Sequence, residues 1–452
     1  MEGTTFSTKF QLGDTRLNMR ANLMVSSLLH NPGVSLPTSF EKPSEVKAAY
    51  RFFSSKHFES EDITQASILE TSERIASEPL VLLIQDTTDI DYSNHPATKG
   101  LGYLEKDYML GIKCHSCMAV SQEGLPLGIL FQKLWIRDNA GFGKKRLRQH
   151  KALHEKESYR WKQCIDETEN YTQTNQRILH IADRESDIFD VFSAPRKENT
   201  ELLIRAAQNR KLTNREIKLF EYVRSLPIAE EKQVTIKRSK DQQERSAHLE
   251  MRFAAVSIDP PIVRKKENLL PANMSILYIQ ETGANITNPI EWYLLTTMVI
   301  ETVEQAWQCV RWYSLRWLIE RFHYVLKEGC KIEELQLEEA ERLKKAISLY
   351  SVVAWRLLYI TYLNRVKPDI PATEIFGEDE LLALYHFINK RGNTINEIPT
   401  IGEVVPLIAR LGGFLGRKSD GSPGVKVLWR GLSKLTNITE AYMVFVKDVG
   451  NG

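Results

Sequence analysis

The sequence predicts an α/β protein whose mixed core is interrupted by a β-rich insertion and flanked by helical segments at both ends. Three observations predict this class. Short apolar runs at residues 80–84, 178–182 and 201–206 alternate with helical stretches, as strands buried on both faces do. From about residue 209 to 300 the pattern changes to alternating, charge-decorated strands at 233–237, 249–256, 275–280 and 292–297, which reads as an antiparallel sheet inserted into the α/β unit. Helical periodicity dominates before residue 75 and after residue 303.

Taken in order, residues 15–29 carry helical spacing, and a Pro/Ser-rich break at 31–44 separates them from a second helix at 45–53. Residues 80–84 are the signature of a buried strand that ends in Gln85-Asp86-Thr87-Thr88. Residues 116–121 and 127–136, joined by Gln122-Glu123-Gly124-Leu125-Pro126, form a hairpin. A basic, glycine-punctuated loop at 141–151 leads to a helix over 154–168. The strand at 178–182 closes on Asp183 and runs into helical residues 186–192. One long helix is expected over 303–328 and another over 338–363. Lys367-Pro368 marks a boundary, beyond which 370–452 is mainly helical around a Gly/Ser/Pro loop at 416–424.

The chain of 452 residues is long enough for several domains, and 42% hydrophobic and 26% charged residues exclude a disordered or collagen-like polymer. The apolar runs, including the interrupted one at 347–358, fall short of the roughly 18 to 20 residues of a membrane span. Residues 1–5 lack an export signal, so no membrane partner is expected and the cytoplasm is the expected compartment. The formal charge of +2 predicts no polyanionic partner by itself, although an average conceals local fields. Of five cysteines only Cys114 and Cys117 are closely spaced, with no second pair at zinc-site spacing, so free thiols are expected.

Asp86 and Asp183 follow buried strands, the place where open α/β sheets collect ligands, although an aspartate there also caps the turn that follows. On a continuous helix at 100° per residue, Tyr313, Arg316, Glu320 and Lys327 share a wedge of roughly 60° opposite an apolar face. That face reads either as a solvated stripe with an Arg316–Glu320 pair or as a carboxylate set among phosphate-binding groups. Three carboxylates are the oxygen ligands that a divalent metal pair needs for attack at a phosphodiester. No phosphate-binding glycine loop or nucleophile elbow is present, which disfavours ATPase, dehydrogenase and acyl-hydrolase chemistry. The loop carrying Lys144, Lys145, Arg146 and Arg148 suits a nucleic-acid backbone, and Arg205, Arg210 and the Arg417-Lys418 loop are further candidates.

Gln85-Asp86-Thr87-Thr88, Ala182-Asp183-Arg184-Glu185-Ser186-Asp187 and the Tyr313, Arg316, Glu320, Lys327 spacing resemble the three catalytic motifs of the bacterial insertion-sequence-four family of DDE transposases. Further likeness lies in Leu12-Gly13-Asp14-Thr15-Arg16, Ala49-Tyr50-Arg51-Phe52-Phe53, Trp292-Tyr293-Leu294-Leu295-Thr296 and Ala409-Arg410-Leu411-Gly412-Gly413-Phe414. The resemblance implies an RNase H-like core in which Asp86, Asp183 and Glu320 are catalytic and hold two Mg²⁺, or Mn²⁺, ions. It implies that Tyr313, Arg316 and Lys327 hold a DNA phosphate and that Trp292, by its pattern an ordinary core aromatic, stacks on a flipped base.

The implied divisions are a DNA-end-binding domain at 1–65, a catalytic core at 66–208 and 301–366 split by the insertion at 209–300, and a dimerisation domain at 367–452. Double-stranded DNA bearing terminal inverted repeats, target DNA and a second copy of the chain are the implied partners. Arg16, Arg20 and Arg51 are candidates for reading the DNA ends. The implied chemistry is cut-and-paste transposition by strand nicking, hairpin formation and opening, and strand transfer. Only about eleven residues precede Leu12-Gly13-Asp14, so a shortened, non-cleaving inhibitor is a second expectation; an RNase H-like DNA nuclease is a third.

Overall fold

The structure, a computed structural model, describes residues 8–143, 153–236, 244–283, 286, 288–389, 398–417 and 420–447. The chain divides into two compact units. A sheet unit takes in Ala76–Asp86 and His150–Trp317; a helical unit takes in Met1–Ile75, Thr87–Gln149 and Leu318–Gly452. Strand β1 (Leu80–Asp91) runs from the first into the second.

In the sheet unit the order is β1, β5 (Arg177–Ala182), β6 (Thr200–Arg205), β10 (Glu291–Thr296), β9 (Ala272–Thr282), β8 (Arg245–Ile258) and β7 (Glu230–Ile236). The β1–β5 and β5–β6 pairs are parallel and the remaining pairs antiparallel. The first two strands are continuous apolar runs because both faces are covered: Val81, Leu82, Leu83 and Ile84 are fully buried. In β8, buried Ala247, Leu249 and Met251 alternate with Ser246, His248 and Glu250, the period of a half-buried strand. The edge strand β7 begins with exposed Glu230, Glu231 and Lys232, charges that discourage further strand addition. Helices α4 (Tyr159–Thr168), α5 (Phe189–Ser193), α6 (Leu219–Ser225) and α7 (Val303–Ser314) complete this unit. Its core gathers Trp161, Phe189, Leu202, Ile258, Ile276 and Leu295 among others.

The helical unit contains α1 (Thr15–His30), α2 (Pro43–Phe53), α3 (Ser60–Ile75), α8 (Trp317–Tyr324), α9 (Ala340–Val366), α10 (Glu378–Asn389), α11 (Ile401–Leu411) and α12 (Val425–Tyr442). Beside the second part of β1 lie β3 (Leu110–Ser121), the short β2 (Gly102–Tyr103) and β4 (Pro126–Trp135). Helix α9 is central, packing against α1, α3, α11, α12 and β4. Arg74 of α3 lies 4.2 Å over the Trp355 ring and donates to the Leu127 carbonyl at 2.7 Å, while Trp355 Nε1 donates to the Pro126 carbonyl at 2.9 Å. Together these tie α3, α9 and the β3–β4 turn. All five cysteines are buried and unbridged.

The structure corrects several expectations. Strand β1 does not end in the stretch Gln85-Asp86-Thr87-Thr88 but continues through Ile90 to Asp91. The insertion is not a separate sheet, since β10 pairs with β6 over Leu294–Arg205, Leu295–Ile204 and Thr296–Leu203. The helix expected over 303–328 is broken. The Leu315 and Arg316 amides bond back only three residues, to Trp312 and Tyr313, and the Cys330 amide reaches five residues back to Val325. The 100° step therefore fails twice; Tyr313 is buried in the sheet unit and Glu320 is exposed in the helical unit. The apolar run around residue 350 is also longer than expected. By length and composition alone α9 would cross a membrane, but 94% of its apolar window is buried in the fold.

Helices α11 and α12 approach backbone to backbone. A Cβ on Gly431 would lie 1.9 Å from the Ile408 carbonyl oxygen, and one on Gly412 would lie 1.8 Å from that of Val427. Gly431→Ala is expected to destabilise the protein by about 1–3 kcal/mol or more through overpacking, read as a lowered urea midpoint. A second expectation concerns pH. Burial, and then Arg196, push the pKa of His180 down to about 3, while burial and Lys327 do the same to His323. The unfolded chain takes up these protons near pH 6.5, so it binds more protons than the folded chain between about 3 and 6.5. Stability should be level above that window and fall as pH drops into it, by about 1.4 kcal/mol per pH unit for each histidine. Urea unfolding of His180→Gln at pH 7, 6 and 5 should give a correspondingly shallower slope.

Candidate active site

The sheet unit places two carboxylates just past the paired stretch of adjacent strands. Parallel pairing of β1 with β5 runs in register from Leu80–Arg177 to Ile84–Ile181. Asp86 and Asp183 each stand two residues past the last pair, so they leave neighbouring strands, roughly 4.8 Å apart, at the same level and with the same side-chain parity. One step behind Asp86, the buried Gln85 bonds through Nε2 to Nδ1 of His180 at 2.8 Å. This ties the two strands together just before they deliver the acids.

Asp183 caps the short turn that follows it. Its Oδ1 accepts from the Glu185 amide at 2.9 Å, and its carbonyl accepts from the Ser186 hydroxyl at 2.8 Å. The capping and functional readings are compatible, because a carboxylate fixed through one oxygen can ligate through the other. Hard oxygen donors on neighbouring strands fit a divalent cation such as Mg²⁺ or Mn²⁺; buried, neutral His180 is not needed for that ligand set.

Tyr313, at the end of α7, is buried, and its ring meets Trp292 of β10 edge to face with centroids 5.1 Å apart. Burial raises the Tyr313 pKa against the opposing pull of Arg316 and Arg205, so the phenol stays protonated. Burial, together with the neighbouring cations Arg184 and Arg316, lowers the pKa of Arg205, and its Nη2 donates to the Glu291 carbonyl at 3.0 Å. Within one unit, then, Asp183, Arg184, Arg205, Arg316 and Tyr313 interact electrostatically, an acid among cations around a neutral phenol. An anionic phosphate is a natural counter-charge for such a cluster.

Glu320 and Lys327 belong to the helical unit. Glu320 is exposed on α8, and Lys327 sits in the π-type turn that follows. Lys327 is paired with Glu333 at 3.1 Å, and the same carboxylate oxygen accepts from the Asp91 amide at 2.9 Å. Of the other expected DNA contacts, Arg210 must be withdrawn. It is buried, and its guanidinium is committed to Asp187 at 2.6 Å, so it cannot meet phosphate without unpairing a buried acid. Lys144, Lys145, Arg146, Arg148 and Lys418 lie outside the described residues. Arg16, Arg51 and Arg417 are exposed and Arg20 is partly so.

Sequence reasoning missed the roles of Glu333 and Asp187. Asp187 lay inside a quoted motif, but nothing in one dimension distinguishes a buried acid from a solvated one. Glu333 followed a glycine-cysteine stretch with no motif of its own.

Comparison with protein families places these residues in a wider frame. Residues 81–355 match the transposase DDE domain, residues 5–58 the transposase DNA-binding family, and residues 352–447 the Tn5 transposase dimerisation domain. The DDE match alone takes in more than half of the chain and includes Asp86, Asp183 and Glu320. The three matches follow one another as DNA-binding, catalytic and pairing parts. With two carboxylates aligned at one end of β1 and β5, the chain belongs to the DDE transposases, as a Tn5-like, divalent-cation-dependent enzyme that binds DNA, pairs with its own kind, and cleaves and joins phosphodiesters.

Proposed function

We propose that the chain excises and inserts its element by cut-and-paste transposition, with Asp86, Asp183 and Glu320 holding a pair of Mg²⁺ ions. The observation that carries this reading is the β1–β5 register, which brings two of the three motif acids to the same level on neighbouring strands. Glu320 is assigned as the third ligand from its motif. When bound, the ion pair supplies an activated water or 3′-hydroxyl and stabilises the leaving oxyanion.

The chain's own groups do the rest. Arg316, Arg205 and the neutral Tyr313 hydroxyl hold the phosphate of the non-transferred strand. Lys327 joins them by exchanging Glu333 for phosphate. Trp292, half-buried against Tyr313, offers its remaining ring surface to a base displaced from the stack during hairpin formation. The order of steps is a nick at the element's end, attack of the freed 3′-hydroxyl on the opposite strand, opening of the hairpin, and joining to target DNA.

The DNA-end-binding part is placed at 1–65, a limit that falls within α3, with Arg16, Arg20 and Arg51 facing the terminal inverted repeats and the 144–148 loop following the backbone. The insertion at 209–300 completes the catalytic sheet, and 367–452 pairs two copies so that two DNA ends are held together. A bacterial cytoplasm, where chromosomal DNA lies, is the setting assigned to this chemistry.

Asp86→Ala, Asp183→Ala and Glu320→Ala should each abolish Mg²⁺-dependent cleavage of end-bearing DNA while leaving gel-shift affinity near that of the unsubstituted chain. Retained cleavage in any one of them would remove that residue from the ligand set. Unsubstituted protein that binds but leaves DNA whole would instead be a regulator, and breaks without hairpins or joined products would mark a nuclease. Trp292→Ala should leave the first nick intact and slow hairpin formation by about 5- to 160-fold, the equivalent of losing about 1–3 kcal/mol of stacking. Single-turnover kinetics that separate nick from hairpin provide the measurement.

A further inference from the structure

Asp187 ends the motif that carries Asp183, yet none of the chemistry above uses it. Its side chain is 1% exposed, and all four acceptor positions of its carboxylate are filled. Oδ1 accepts from Arg210 Nε at 3.0 Å and Nη2 at 2.6 Å, and Oδ2 accepts from the Ala207 and Gln208 amides, each at 2.7 Å. The Asp187 carbonyl adds bonds from Arg210 Nη2 at 2.7 Å and Gln208 Nε2 at 3.1 Å. Arg210 is itself held over the Phe192 ring at 5.2 Å and accepts at its carbonyl from the Leu219 amide at 2.9 Å.

A buried ion pair contributes little net stability compared with apolar residues of the same size, but it tolerates very few geometries. Its placement is therefore informative. Asp183, at the end of β5, opens a turn whose far end is Asp187: the Ser186 amide bonds to the Asp183 carbonyl at 3.2 Å, and the Asp187 amide bonds to the Arg184 carbonyl at 3.2 Å. The segment gripped by Asp187, from Ala207 to Arg210, begins two residues after Arg205 at the end of β6. One carboxylate thus fixes the Asp183 turn to the chain that carries Arg205.

We propose that Asp187 is a positioning residue: through Arg210 and the Ala207 and Gln208 amides it sets the spacing between the acid at 183 and the cation at 205. This rests on the assignment of Asp183 as a metal ligand, and the test separates the two. In Asp187→Asn an amide NH₂ must face either the guanidinium or the two backbone amides, so the turn loses its anchor. Arg210→Lys keeps the buried charge balanced but replaces the planar fork of Nε and Nη2 with a single donor atom, and it serves as the milder variant should the first fail to fold.

The full chain of each variant would be compared with the unsubstituted protein by amide hydrogen exchange without DNA, by calorimetric Mn²⁺ titration, and by single-turnover nicking of end-bearing DNA. The expected result is at least about tenfold faster exchange at Glu185, Ser186 and Asp187 with the β5 and β6 amides unchanged. With it should come a drop of about 10- to 100-fold in Mn²⁺ affinity and in nicking rate, at unaltered DNA affinity. Unchanged exchange at 185–187 in a folded variant would overturn the brace. Faster exchange with unchanged Mn²⁺ affinity would reduce Asp187 to a structural role, which also overturns the proposal. Failure of the metal-ligand assignment would show differently, as Mn²⁺ affinity that Asp183→Ala leaves intact.

Discussion

The in-register parallel pairing of β1 with β5 is the constraint on which the rest of the candidate site depends. Parallel strands buried on both faces cannot slip without exposing a full row of Val, Leu and Ile side chains, so the apolar contacts of Val81–Ile84 and Ile178–Ala182 fix the level of the residues that follow. The acids at 86 and 183 inherit that level. Repulsion between two carboxylates so placed would disfavour the arrangement in isolation. Apolar burial along five paired positions outweighs it, and a divalent cation would turn the repulsion into shared attraction. The Gln85–His180 bond adds a polar tie at the point where the ladder ends, and a neutral histidine does so without placing another cation beneath the acids.

The cations singled out in the sequence are held by partners of different kinds. Arg210 is locked to a buried acid and takes no part in surface chemistry. Lys327, in the helical unit, is paired with a partly buried Glu333 at 3.1 Å. Arg205 is satisfied by a backbone carbonyl and has to give up only a neutral acceptor. The formal +2 of the whole chain hides this ordering, because acids and bases nearly cancel in number while being sorted in space according to task.

The helical unit depends on close approach. Where α11 meets α12, glycines bring helix backbone against carbonyl oxygen at distances no side chain allows. In the region matching the Tn5 dimerisation domain, such intimate packing gives a rigid platform rather than a loose pair of helices. Helix α9 shows the opposite economy: an apolar surface extensive enough for a bilayer is almost all covered by neighbouring elements of the same unit.

Much of this was legible in one dimension. Hydrophobic periodicity located most of the helices and strands described, because burial imposes periods of 2 and 3.6 on any chain that folds this way. The resemblance of the acidic motifs to those of DDE transposases was enough to suggest the family, since such motifs are carried by residue types and order whatever the surrounding packing. What the sequence did not reveal were the consequences of contacts between distant segments. The joining of β10 to β6, the break at Leu315 with the π-type turn at Val325, and the conversion of Arg210 from expected DNA contact to buried partner of Asp187 all arise that way. Periodicity records which face of an element is buried, not what buries it. By itself the sequence determined most of the elements, the class of chemistry and the acids proposed to perform it. The tertiary structure decided which strand pairs with which, and which charges are spent on holding the fold, because register and ion pairing depend on neighbours brought together from far apart in the chain.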